Sequence, residues 1–137
     1  MLMQATPEFT TYVMQHPRVH AAMAEDDEPR EYHFKRWTIA FQFMNRGVLL
    51  LRQVSYGGMF DVHIAMIKGH SDLAKWVGEC LQAMRAAGAK KFKAEIAGWN
   101  KACLRLARKC GFVEEGRVSN ALIRGGQRHD LVIMGAV

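Results

Sequence analysis

The stretch from Phe60 to Ile96, FDVHIAMIKGHSDLAKWVGECLQAMRAAGAKKFKAEI, constrains the chain more than any other, because it reads as strand, tight turn, amphipathic helix and strand. Phe60 to Ile67 is a run of mostly β-branched and apolar residues, which predicts a buried strand. Lys68-Gly69-His70-Ser71-Asp72 turns the chain and offers Ser71 or Asp72 as a helix N-cap. Leu73, Trp76, Val77, Cys80, Leu81 and Met84 then recur at helical spacing as one apolar stripe, which ends at Gly88. Lys91 to Ile96 alternates as a second strand. A strand-helix-strand unit of this length crosses over right-handed into a parallel pair. Its turn presents free backbone N–H groups at a helix N-terminus, where an anionic group can sit.

Upstream, Pro7 to about Met23 predicts helix, with Thr6 as N-cap, Pro7 at the first position and Pro17 dividing it into two short helices. Glu25-Asp26-Asp27-Glu28-Pro29 is a polar loop and the best candidate for a mobile segment. Phe34 to Met44 and Val48 to Ser55 predict two strands joined by the hairpin turn Asn45-Arg46-Gly47. Tyr56-Gly57-Gly58-Met59 leads into the strand from Phe60, so the three make an antiparallel meander. Downstream, Gly98-Trp99-Asn100 opens a second helix. Ala102, Cys103, Leu106, Ala107 and Cys110 form its inner stripe, Lys101, Arg105, Arg108 and Lys109 face out, and Gly111 stops it. Gly116 to Ile123 and Asp130 to Met134 predict a last hairpin around Arg124-Gly125-Gly126-Gln127-Arg128.

These elements predict an α/β (α+β) domain over residues 1–137, with a mixed, mostly antiparallel sheet of about six strands and helices on both faces. No apolar run approaches the ~20 residues of a membrane helix, and the opening MLMQATPEFT lacks the pattern of a signal peptide, so a cytoplasmic protein is expected, with no membrane partner. Cys80, Cys103 and Cys110 have no ligand spacing, and an odd count argues against a disulfide framework; buried thiols in a reducing compartment are expected, and no metal site. The formal net charge is +6, yet residues 1–31 carry Glu8, Glu25, Asp26, Asp27, Glu28 and Glu31 against Arg18 and Arg30, which leaves ten more positive than negative charges on the rest. A basic body suits an anionic ligand, a phosphorylated cofactor or nucleic acid, and is equally a solvated surface.

The segment NKACLRLARKCGFVEEGRVSNALIRGGQRHDLVIM, Asn100 to Met134, resembles the end of the GNAT superfamily of acyl-CoA-dependent N-acyltransferases. The resemblance rests on Asn100, Cys103, Leu106, Lys109, Gly111-Phe112, Glu115-Gly116 and Asp130, and the order of elements agrees with it from about residue 34 onward. It implies acetyl-CoA as co-substrate and transfer of an acetyl group to an amine by direct attack. In that family a Gln/Arg-x-x-Gly-x-Gly/Ala loop after the central strand holds the pyrophosphate on its N–H groups. Met66, Ile67, Lys68, Gly69, His70 and Ser71 stand there in this chain, with Met66 replacing the Gln or Arg and Ser71 the second glycine, and Asp72 would compete with the pyrophosphate. Asn100 is carried over as a further cofactor-binding residue. The Tyr that often protonates the leaving thiolate is replaced by Ala107.

His63 shares a strand face with Asp61 by period two and is the candidate catalytic residue, a base for the incoming amine; a core histidine with a satisfied N–H is the competing reading. His70 could meet phosphate, whereas His16, His20, His33 and His129 suggest no metal site. Two functions therefore stand: an N-acetyltransferase acting on a small-molecule or peptide amine, and a catalytically degenerate binding or structural protein of the same fold, such as a bacteriophage assembly or ejection component located in the host cytoplasm or the virion. A homodimer or protein partner is open in either case. A nucleic-acid-binding module rests only on the basic excess and Lys90-Lys91-Phe92-Lys93, without a groove-reading motif, and is the weakest reading.

Overall fold

The computed structural model describes residues 2–137; Met1, the first residue of the expected domain, lies outside the described residues. The order of elements is β1 (Met3–Gln4), α1 (Pro7–Met14), α2 (Pro17–Met23), β2 (Ile39–Phe43), β3 (Gly47–Gln53), β4 (Met59–Met66), α3 (Leu73–Ala86), β5 (Lys91–Ala97), α4 (Lys101–Lys109), β6 (Val113–Arg124) and β7 (Gln127–Ala136). The strands form one sheet in the order β1-β2-β3-β4-β5-β7-β6, antiparallel everywhere except between β4 and β5. The mixed, mostly antiparallel sheet is as the sequence predicts, with seven strands in place of about six. The addition is β1, which pairs Met3 with Gln42 and Gln4 with Phe41 through backbone alone and carries no side-chain pattern to announce it.

The alternation of each strand sorts its side chains between two cores. Phe41 and Phe43 of β2, Leu49 and Leu51 of β3, and Phe92, Ala94 and Ile96 of β5 face α3 and α4, where they meet Trp76, Val77, Leu81, Met84, Leu104 and Ala107. Ala40, Val48, Leu50 and Ala65 face the other way, against Val13 of α1 and Val19 of α2. Helices thus cover both faces, as expected. The stripe of α3 is the one read from sequence, with Trp76, Val77, Cys80, Leu81 and Met84 buried. That of α4 is rotated: Leu104 is buried and Ala102 exposed, since turning in a Leu removes more apolar surface from water than turning in an Ala.

Local chemistry accounts for the ends of these elements. The Thr6 hydroxyl accepts the N–H of Phe9 at 3.0 Å and Pro7 stands at the first helical position, while Pro17 opens α2 after His16 Nδ1 has accepted the N–H of Arg18. Gly88 ends α3 at φ +111, a conformation costly for any residue with a Cβ. The strand expected from Phe34 begins only at Ile39, because the N–H of Thr38 closes a turn on the Lys35 carbonyl at 2.9 Å. The final hairpin is longer than expected, and β6 slips register between Glu114 and Gly116 and again between Val118 and Leu122, with Asn120 at φ +53.

At Gly47 the sheet tolerates no side chain: a Cβ there would overlap Met66 Sδ and lie 2.5 Å from the carbonyl oxygen of Ala65. Gly47→Ala should therefore destabilise the fold by about 1–3 kcal/mol through overpacking alone, read as a lower denaturant midpoint at unchanged slope.

Candidate active site

The site begins where β4 and β5 part. They pair only through Met59 with Lys91, Phe60 with Phe92 and Asp61 with Lys93, whereas β4 continues against β3 to Met66 and β5 against β7 to Ala97. The Ile67 N–H donates to the Arg46 carbonyl of the β2–β3 turn at 2.7 Å, so by alternation the main-chain groups of Ile64 and Met66 point away from β3, into the gap that β5 has left. The gap opens into a cavity of about 220 Å³. Val62, Ile64, Val77, Ile96, Leu106 and Phe112 give it apolar walls, and its ionisable lining is Glu25, Glu28, Glu95, His63, Cys103 and Cys110, with no Lys or Arg among the described residues.

His63 lies on the face of β4 opposite Val62 and Ile64 and borders both this cavity and a second one of about 310 Å³ beneath the Tyr32–Thr38 segment. Its Nε2 is shut off from solvent and has no hydrogen-bond partner among the described residues. Burial pushes its pKa below the usual 6.5, since the charged ring would lose its hydration there, and the imidazole is neutral at pH 7. Asp61 also borders the second cavity, but its carboxylate is taken by cations: Oδ1 lies 3.3 Å from Lys93 Nζ and Oδ2 3.5 Å from Arg52 Nη2.

Cys103 and Ala107 of α4 and Cys110 at its C-cap line the cavity. Burial pushes the Cys103 thiol up to about 11 and that of Cys110 upward as well, so both are protonated at neutral pH. Asn100 is the N-cap of α4; its Oδ1 accepts the Cys103 N–H at 3.2 Å, and the residue lines the same cavity.

The turn after β4 is held from outside. Arg46 donates through Nη1 to the Gly69 carbonyl at 3.1 Å, and the His70 ring packs edge-on against Phe43 with centroids 5.5 Å apart. His70 Nδ1 accepts the Asp72 N–H at 3.0 Å, and the His70 carbonyl accepts the Leu73 N–H at 3.2 Å. Among the described residues the N–H groups of Lys68, Gly69, His70 and Ser71 have no hydrogen-bond partner. A Cβ at Gly69 would have nothing within 4 Å, so the space above the turn is open. Asp72 holds the N-cap position of α3 without a capping bond, its carboxylate mostly exposed. This is an open cradle of donors at the N-terminus of a 14-residue helix, of the kind that fits a phosphate group.

The loop expected to be mobile is instead fixed to the far end of the chain. Asp26 accepts the N–H groups of Gly125 and Gly126, both at 2.9 Å, Glu25 Oε1 accepts that of Ile123 at 2.9 Å, and the Asp26 N–H returns to the Ile123 carbonyl at 3.0 Å. Trp99 Nε1 donates to the Ala22 carbonyl and Arg124 Nη2 to that of Ala21, with the guanidinium 5.0 Å above the Trp99 ring. The basic stretch is no free patch either. Phe92 is fully buried, while Lys91 pairs with Glu115 and Lys93 with Asp61. The structure thus gathers His63 and Asn100 around one cavity and sets Lys68 to Ser71 apart from it, on the turn. Arg46, Glu25, Glu28 and Trp99 were not singled out as site residues, because their relevance depends on contacts remote in sequence.

No protein-family model and no curated protein sequence matches this chain. Solved structures do. A spermidine N-acetyltransferase from Vibrio cholerae, in complex with CoA and spermine, superimposes with a TM-score of 0.78 at 14% identity over 99% of this chain and 94% of that one. An acetyltransferase of the GNAT family from Streptococcus pneumoniae gives 0.77 at 18% identity, over 99% and 98%. A protein proposed to be a phosphinothricin N-acetyltransferase gives 0.77 at 20%, over 98% and 96%. With the parted parallel pair, the turn after β4 and the helices on both faces, these likenesses establish that the chain has the fold of the GNAT acetyltransferases.

Proposed function

We propose that the protein is an N-acetyltransferase that moves an acetyl group from acetyl-CoA to a cationic amine. The observation that carries this reading is His63: a neutral imidazole with an unpartnered, buried Nε2, bordering the cavity that opens where β4 and β5 separate. The donor supplies an electrophilic carbonyl on a thiol leaving group. The rest falls to the chain. The N–H groups of Lys68 to Ser71 hold the pyrophosphate, helped by the charge of Lys68 and Arg46, and the main-chain groups of Ile64 and Met66 are available to amides along the pantetheine arm. The apolar walls exclude water. His63 Nε2 takes the proton of the incoming ammonium, freeing the nitrogen lone pair that forms the amide bond as the carbon–sulfur bond breaks, and the second proton that the nitrogen sheds goes to the departing CoA thiolate. Glu25 and Glu28, in a cavity lining that holds no Lys or Arg among the described residues, favour an acceptor that carries positive charge. A degenerate, non-catalytic binding protein is the second reading, favoured by Ala107 at the cavity wall and by the Asp72 carboxylate beside the turn.

Two measurements test the first reading. Gly69 is free of positive φ and of neighbours, so Gly69→Asp should keep the wild-type melting temperature while weakening CoA binding, because it adds both a Cβ and a negative charge to the cradle; Asp72→Asn should bind CoA as well as the wild type or better. Calorimetry giving all three proteins equal affinity would remove the turn as the pyrophosphate site. No binding by the wild type would favour the second reading.

His63→Gln keeps a polar side chain without the basicity and should lower kcat by roughly 10²-fold on any accepted amine. Because burial depresses the His63 pKa, the wild-type rate should rise with pH through a midpoint below 6.5 and stay level above it. The same shift has a sign for stability. The unfolded chain binds a proton at His63 that the folded chain resists, so stability falls as pH drops from about 6.5 toward the folded-state pKa. A variant with wild-type kcat and pH profile would make His63 a packing residue only.

A further inference from the structure

We propose that the end of the sheet opposite the turn after β4 binds single-stranded nucleic acid, whose bases stack on Trp37 and Tyr56 and whose phosphates meet Lys35, Arg36 and Lys90. Three segments come together there. The Lys35–Thr38 turn leads into β2, which opens with Ile39 opposite Leu51 near the end of β3. The β3–β4 connection stands next in the row, closed by the Val54 N–H on the Met59 carbonyl at 2.9 Å and the Gly58 N–H on the Ser55 carbonyl at 3.2 Å. The Gly58 carbonyl in turn accepts the Lys90 N–H at 2.9 Å, which places the approach to β5 beside it. From β2 to β5 the row spans three strand spacings, roughly 14 Å, and the length of β4 sets it roughly 23 Å from Met66.

The two most exposed aromatic rings of Phe, Tyr or Trp in the described chain stand in this row: Trp37, 62% exposed, and Tyr56, fully exposed. Among the described residues neither ring packs on another ring or under a cation, and Gly57 and Gly58 leave the faces of Tyr56 clear. Lys35, Arg36 and Lys90 are exposed, and no carboxylate of the described residues lies within ion-pair distance of them. Residues 35–38, 54–58 and 89–90 contain no Asp or Glu, while the acidic 25–28 segment is tied to the β6–β7 turn at the far end of the sheet. The run from Lys90 to Lys93 makes no patch by itself, because Lys91 and Lys93 are spent on carboxylates; Lys90 joins one only when the fold brings Lys35-Arg36-Trp37 and Tyr56 beside it. Open rings interspersed with unspent cations are what a single strand requires, since every base has a face to stack and every phosphate a charge to neutralise. A duplex hides those faces. An anionic membrane would also meet the cations, but it takes up a contiguous apolar surface, and the chain neighbours of Trp37 and Tyr56 are Arg36, Thr38, Ser55 and Gly57.

The test is independent of the N-acetyltransferase reading. Short fluorescein-labelled RNA and DNA strands of one mixed sequence are titrated with the full chain by fluorescence anisotropy, beside the corresponding duplex and phosphatidylserine vesicles. At least one single strand should bind, the ratio between the two showing whether ribose hydroxyls are read, and the duplex should bind at least about tenfold more weakly. Three cations on phosphates predict a slope of log affinity against log salt of about −2, which Arg36→Gln combined with Lys90→Gln should bring to about −0.7. Trp37→Ala and Tyr56→Ala should each weaken binding roughly tenfold at unchanged salt slope and melting temperature, and Trp37→Phe should recover most of the loss. Saturating CoA should change the affinity by less than about twofold, because its proposed cradle lies at the other end of β4. Duplex binding as tight as that of the strands, or alanine variants with wild-type affinity, overturns the proposal in favour of an unspecific basic surface. Competition by CoA overturns it by putting the strand on the turn after β4. Absence of binding to either strand overturns it as well, and vesicle binding in that case would give the row to a membrane.

Discussion

The structure depends on one constraint: β4 and β5 are each fully committed to a different neighbour. β4 is tied to β3 from Phe60 to Met66, and β5 to β7 from Phe92 to Ala97, while the two share only three residue pairs. Neighbouring strands rotate relative to one another by roughly 20–25°, so two strands each anchored on its outer edge part as the twist accumulates. The ion pair of Asp61 with Lys93 stands at the last paired position. Beyond it, main-chain groups that would be sheet ladder elsewhere face a cavity. Such groups are expensive to leave buried and unpaired, which makes the gap a place suited to a ligand with amides of its own.

Charge is arranged around this gap with the same economy. The body of the protein is basic, but the lysines nearest the gap are spent on carboxylates, Lys91 on Glu115 and Lys93 on Asp61 and, at 4.0 Å, Glu95. Arg46 is engaged by the Gly69 carbonyl at the turn after β4. The carboxylates of the 25–28 segment lie at the other end of the site, tied to the β6–β7 turn. One end is therefore suited to an anion and the other to a cation. The proposed transfer from a phosphorylated donor to an amine would use that polarity.

Much of this was legible in the sequence where one element decides its own fate. The stripe of Trp76, Val77, Cys80, Leu81 and Met84 predicts α3 and its buried face, and the strands on either side follow from alternation and the crossover rule. What was not legible involves partners far along the chain. Glu25 to Pro29 has the composition of a free loop, and nothing local reveals that Gly125 and Gly126 will present a nest to Asp26. β1 is held by backbone pairing that any residue could supply. Phe34 has the β-propensity of a strand residue, yet it packs into the core beneath α1 and α2 from a loop, since the Lys35–Thr38 turn delays the strand. For the site, His63 could be picked out as an ionisable residue on a buried strand, but whether its ring was satisfied depended on which elements packed over it.

The missing hydroxyl at position 107 weighs less against catalysis than it first suggests. Ala107 lines the cavity between Cys103 and Cys110, whose thiols burial keeps protonated and weakly acidic. Neither is a strong acid for a leaving group. A thiol of ordinary acidity, however, ionises near pH 8.5, so expelling its thiolate at pH 7 leaves it only about 1.5 pH units, or ~2 kcal/mol, short of its preferred state. That is the most a general acid at this position could supply for the completed leaving group. Orientation of the two reactants is worth ~7–11 kcal/mol, several times more, and on the proposed reading it falls to the parted strands and the open turn. Deprotonating the amine comes next in importance. An ammonium of pKa ~10 lies about three units above pH 7, a cost near 4 kcal/mol, twice that of the thiolate. On the proposed reading, Ala107 in place of a hydroxyl therefore costs less than loss of the neutral, unpartnered imidazole of His63 would.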